Sequence, residues 1–144
     1  MLGDARLTLT KEPAARFDYL VIDAFSSDAV PVHLLTREAL LLYFDKMQQN
    51  GLLALHISNR HLDLVGVASA LVASVPGLHG SHVFSRGDGT LFAPGSIVMF
   101  VSRSPQVIAA TLKIENTKPA AASSYRPWTD DRSDILSALW RGVQ

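Results

Sequence analysis

Apolar residues recur along this chain in two rhythms, short unbroken runs and helical spacing. Phe17-Asp18-Tyr19-Leu20-Val21-Ile22-Asp23 carries a continuous apolar stretch that ends abruptly in a carboxylate. That is the pattern of a strand buried on both faces in a parallel sheet. Before it, Arg6-Leu7-Thr8-Leu9-Thr10 alternates polar and apolar over too few positions to separate a short strand from the first turns of a helix. Thr36 can cap a helix, and residues 37–49 set Leu40, Leu41, Phe44 and Met47 at helical spacing until Asn50-Gly51 stops them. Residues 52–57 predict a second buried strand, with polar Ser58-Asn59-Arg60 at its exit. An apolar helix follows over 62–75, closed by Pro76-Gly77. Residues 81–85 and 97–102 predict two more strands, joined by a Gly- and Pro-bearing segment, 86–96, long enough to suggest a functional or mobile loop. A helix is predicted over 104–112, a weakly patterned connector over 113–127 and a short terminal helix over 133–140. The order strand–helix–strand–helix–strand–strand predicts an α/β layered fold, parallel strands followed by an antiparallel pair.

Composition narrows the class. A chain of 144 residues, 48% hydrophobic and 18% charged, has a globular composition and the length of one domain. With 13 basic and 13 acidic side chains the formal charge is zero, which offers no basic footprint for nucleic acid. The absence of cysteine excludes disulfides, thiolate zinc sites and cysteine nucleophiles. Asp4 and Arg6 interrupt any signal-peptide pattern, and apolar runs stop well short of the roughly 18 residues of a membrane helix.

In open α/β sheets, ligands bind outside the carboxyl ends of the parallel strands. Two such ends are readable, 23–28 and 56–60, and they become neighbours if the two strands pair. Asp23 ends its strand directly, where partial desolvation would raise its pKa and fit it to take a proton or hold a cation. It can equally cap the following loop by accepting backbone N–H groups. Asp28 reads as a second acidic contact or as ordinary Ser-Ser-Asp turn chemistry. His56, His61 and Asp63 suggest a metal cluster, but the histidine spacing of five misses the helical i, i+4 pair and no third strong ligand is near, so no metal is expected. A Ser–His–Asp hydrolase lacks its G-x-S-x-G elbow. Thr129 or Asp130 is expected to cap the last helix, and Trp128 and Trp140 read as core or interface aromatics.

The order of these motifs resembles the C-terminal half of the spermidine synthase family, most of all its spermidine synthase-like bacterial branch, some of whose members are fused to membrane-transporter segments. The resemblance rests on Gly3-Asp4-Ala5-Arg6-Leu7, on Phe17 through Asp23, on Asp28-Ala29-Val30-Pro31-Val32-His33-Leu34-Leu35-Thr36, on Asn50-Gly51-Leu52-Leu53, on His56-Ile57-Ser58-Asn59-Arg60 and on Trp128-Thr129-Asp130-Asp131. It implies a partial Rossmann-like sheet of the methyltransferase type with helices on both faces, forming a single domain over 1–144 with a connector at 113–127 and a terminal segment at 128–144.

The activity it implies is transfer of an aminopropyl group from decarboxylated S-adenosylmethionine, a co-substrate and no permanently bound cofactor, to an amine such as putrescine. On that reading Asp4 contacts the adenine amino group and Ala5 lies beside the ring. Asp23 removes the amine's proton, Asp28 and His56 contact the amine, and the loop from Asp23 to Pro31 is a gate. The sequence departs from the family in places. The acids of the usual D-S-S-D-P run stand two positions further apart here, Phe92-Ala93-Pro94-Gly95 offers no tyrosine hydroxyl, and His56 and Asn59 replace a common glutamine and acid. The family's glycine-rich loop and ribose-gripping acid would precede Met1, so weak or no activity is expected of this chain alone, together with an exposed edge on the 17–23 strand that invites a homodimer or pairing with a missing N-terminal half. A cytoplasmic location goes with the family reading. The other functional readings are a catalytically silent Rossmann-like module that pairs with another chain or a transporter domain, and an S-adenosylmethionine-dependent methyltransferase.

Overall fold

A computed structural model of the chain describes residues 4–23, 31–59, 61–87 and 95–142. The ambiguous segment after Asp4 is helical because Asp4 caps it. Its carboxylate accepts the N–H groups of Arg6 and Leu7 and starts α1 (Ala5–Leu9). β1 (Phe17–Ile22) follows. A single 3-10 turn, Val32–Leu34, then leads to Thr36, whose hydroxyl accepts the Ala39 N–H at 3.2 Å and caps α2 (Arg37–Lys46).

The buried stripe of α2 differs from the expected one. Leu40, Tyr43 and Phe44 face inward, whereas Leu41 is 41% exposed. Counting from Leu40, positions three and four further on share its face and the adjacent position does not. Asn50-Gly51 does not end this helix. β2 (Met47–His56) begins directly after Lys46, and Asn50-Gly51 lies within it, where the β1–β2 register jumps between Phe17↔Met47 and Tyr19↔Leu52.

Asp63 then caps α3 (Leu64–Ala73) by accepting the Gly66 N–H at 2.9 Å. β3 (His79–Ser85) and β4 (Ser96–Ser102) form the expected antiparallel pair. After α4 (Pro105–Thr111), the stretch expected as plain connector contains β5 (Thr117–Pro119), antiparallel to β3. The chain closes on α5 (Ile135–Gly142). Its cap is Asp134, which accepts both the N–H and the hydroxyl of Ser137, and not Thr129 or Asp130.

The five strands run in the order β1-β2-β4-β3-β5, with β1 and β2 parallel and the remaining pairs antiparallel. The sheet is Rossmann-like, with helices on both faces. Gly80 looks toward Val72 of α3, while its neighbour Ser81 points the other way and meets Thr111 of α4, hydroxyl to hydroxyl at 2.6 Å. The main core lies on the α3 side, where Leu53, Leu55, Met99 and Val101 pack with Tyr43, Phe44, Val67, Leu71 and the fully buried Trp128.

β1 is not buried on both faces. It is an edge strand, and Tyr19 and Val21 on one of its faces are 55% and 51% exposed. Among the described residues no helix is long and apolar enough to cross a membrane. Residues 24–30 of the expected Asp23–Pro31 gate, Asp28 among them, and Phe92 through Pro94 lie outside the described residues.

Candidate functional site

Parallel pairing brings the two strand ends together as the sequence predicts. Ile22 stands opposite Leu55, so the next residues, Asp23 and His56, emerge side by side at the carboxyl end of the sheet. His56 Nδ1 lies 2.6 Å from Asp23 Oδ1. The desolvation expected at Asp23 is absent, because its side chain is 64% exposed at the sheet edge. His56, expected as an amine contact, has its second ring nitrogen against the protein as well, with Nε2 2.6 Å from the hydroxyl of Ser58. Ser58 Oγ in turn accepts the backbone N–H of Ile97 at 2.7 Å. The result is a line of four groups, Asp23–His56–Ser58–Ile97, running from the exposed edge toward the β4 strand.

The Asp–His–Ser order occurs here without the nucleophile elbow sought in the sequence. Ser58 and Ile97 are the residues that sequence reasoning misses. The one local signal is the spacing of His56 and Ser58, two residues apart and therefore directed to the same side of an extended segment.

Asp23 and His56 form the polar end of a cleft of about 350 Å³ whose apolar floor includes Tyr19, Val21, Val98 and Phe100. Those residues alternate along β1 and β4 and share one face of the sheet, the face that carries α4 only over β3 and β4.

Asp4 and Ala5 sit in a second cluster at the start of α1. Besides capping the helix, the Asp4 carboxylate lies 3.1 Å from His33 Nε2. The Leu7 N–H, more than any other group, holds its pKa below the usual carboxylate range. Ala5 is the exposed first residue of the helix. Next to them, Arg6 grips Asp130 with both guanidinium arms, at 2.7 and 2.5 Å, and Thr36 donates its hydroxyl to the same carboxylate. The Arg6 bonds lower the Asp130 pKa, and the same pairing raises that of Arg6. Arg6, Thr36 and Asp130, but not Asp4 or Ala5, line a cleft of about 430 Å³ together with Val32, His33 and Ser133.

Asp63 is engaged as the cap of α3, and the backbone N–H of His61 donates to the Asn59 side-chain oxygen. Among the described residues no group of three histidine or acidic side chains could hold a metal ion.

No protein-family model matches the chain, and no curated protein matches it. Among solved structures, the fold is similar to that of a probable spermidine synthase from Corynebacterium glutamicum ATCC 13032, with a TM-score of 0.62 at 15% identity. The match covers 92% of this chain and 54% of that one, so the chain spans about half the length of the structure it resembles. At this identity the likeness is one of fold.

Proposed function

From a fold shared with a probable spermidine synthase, we propose that this chain carries the base and adenine sides of an aminopropyltransferase-like site. The observation that carries the reading is the position of Asp23. It is an accessible carboxylate at the carboxyl end of a parallel strand, bonded to a histidine on the neighbouring strand end. In the reaction, the amine nitrogen attacks the carbon next to the sulfonium of decarboxylated S-adenosylmethionine. The carbon–sulfur bond breaks, the sulfur keeps the electron pair as methylthioadenosine leaves, and the amine's proton passes to Asp23. A sulfonium leaving group needs no metal or covalent intermediate, so orientation and proton removal are what the protein supplies. Asp4, an acceptor at the start of α1, suits the adenine amino group, with Ala5 beside the ring.

Thermal unfolding with and without methylthioadenosine tests this. Ligand at about 100 times its dissociation constant should stabilise the fold by about 2.7 kcal/mol. In Asp4→Ala the unliganded protein loses its α1 cap, and the ligand-dependent shift disappears. A shift of equal size in both proteins removes Asp4 from the site. No shift in either removes the transferase reading.

A second reading is favoured by the position of β1 at the edge of the described sheet and by its exposed Tyr19 and Val21. On it the chain is a module whose sheet is completed by another polypeptide, and it is catalytically silent alone.

A further inference from the structure

We propose that Ser58 is a positioning residue, anchored by the Ile97 N–H, that holds His56 so that His56 in turn fixes the carboxylate of Asp23. The inference rests on the reading of Asp23 as the base, and its logic is one of donors and acceptors. The Ile97 N–H can only donate, so the Ser58 oxygen accepts there and its hydroxyl hydrogen is available to His56. A neutral imidazole that accepts at Nε2 carries its hydrogen on Nδ1, and Nδ1 is the atom that faces Asp23. The hydrogen bonds then run in one direction, from the Ile97 backbone through Ser58 and His56 to Asp23 Oδ1.

The two ends of this line differ in solidity. Ser58 is half-buried and tied to a backbone group of the central strand β4, whereas Asp23 is 64% exposed at the sheet edge. A carboxylate so exposed, one residue beyond the end of its strand, samples several rotamers unless something holds it, and a base that samples rotamers meets its substrate less often in line. Held at Oδ1 by His56, the carboxylate keeps Oδ2 for the amine proton. Ser58 reaches the reaction only through His56, which is why it is a positioning residue.

The test is the nitrogen-resolved NMR signature of the His56 ring in the intact chain, with Ser58→Ala and Ser58→Thr as variants. In the wild type, Nδ1 should be protonated and Nε2 should be an unprotonated, hydrogen-bonded acceptor. In Ser58→Ala, the Nε2 resonance should move toward the position of a nitrogen without a donor, and the Nδ1–H signal should be lost to solvent exchange as the ring loses its anchor. Ser58→Thr, which keeps the hydroxyl, should restore both signals. Where aminopropyl transfer is measurable, Ser58→Ala should lower kcat about tenfold and leave the KM for the adenosyl co-substrate unchanged. An Nε2-protonated ring in the wild type overturns the proposal, as does an Nδ1–H signal indifferent to Ser58→Ala. Labelling of Ser58 by a fluorophosphonate also overturns it, by making the hydroxyl a nucleophile. The NMR signature without any methylthioadenosine-dependent shift in thermal unfolding would sink the transferase reading alone and leave the positioning geometry standing.

Discussion

Arg6 and Asp130 meet across 124 residues of chain, and their fork joins the first helix to the segment before the last one. Asp130 also receives the Thr36 hydroxyl, and its own N–H bonds to Glu38, so one residue ties α1, the cap of α2 and the terminal segment together. Because the Asp130 side chain is 41% exposed, solvent screens the pair, and Asp130→Asn should cost only about 1 kcal/mol at pH 7. The pH dependence has a definite sign. The Asp130 pKa is lowered in the fold, chiefly by Arg6. Its contribution is therefore complete above the ordinary aspartate value of about 3.9 and is lost as pH falls through the lower folded value. Urea midpoints of the two proteins should differ at pH 7 and at pH 5, and converge as the pH drops below the ordinary value. A gap that persists there would mean that the Asp130→Asn substitution disturbs the packing and not the charge pair. Neither this contact nor the Ser58–Ile97 bond was legible in the sequence. Each joins residues far apart in the chain, and Arg6, Asp130 and Ser58 all have ordinary local readings, as part of a short strand or helix, a helix cap and a strand exit. Asp23 and His56 were legible, because both sit at the ends of apolar runs and a parallel sheet must bring such ends together.

At the scale of elements, apolar periodicity located four strands and the major helices, and it failed where one element follows another without a break. α2 passes directly into β2, so the apolar series through Met47 looked helical to its end and Asn50-Gly51 looked like its stop. β5 was invisible for a different reason. It is three residues long and ends in a proline, which is tolerated there because the strand lies at the sheet edge. The misread glycine has a structural task. A Cβ at Gly51 would lie 2.9 Å from the Met47 Cε, 3.1 Å from the Gln48 carbonyl oxygen and 3.2 Å from that of Phe17. Two of these three neighbours are backbone and cannot rotate away. Gly51→Ala should accordingly loosen the irregular start of the β1–β2 ladder and cost about 1–3 kcal/mol of stability, read from the urea midpoint. Stability equal to the wild type would show that the methionine and the bulge absorb the methyl group.

The whole molecule, over its described residues, has one unfinished side. β5 closes the sheet at one edge with a short, proline-ended strand, while β1 at the other edge leaves a row of backbone donors and acceptors beside exposed Tyr19 and Val21. An open edge next to apolar side chains is a template for another strand. The chain spans about half the length, 54%, of the probable spermidine synthase whose fold it resembles. Offered no other polypeptide, the edge should pair with a second copy of itself. Sedimentation velocity should show a species heavier than the monomer that grows with concentration. Val21→Lys places a charge on the bare face beside the edge without touching the core on the α3 side, so it should return the chain to monomer while its circular dichroism stays that of the wild type. A wild-type chain that remains monomeric at every concentration would show that the edge is protected, and would remove the module reading in which β1 is the seam to another polypeptide. Association that survives Val21→Lys would move the seam elsewhere and leave Tyr19 and Val21 as the floor of the cleft beside Asp23.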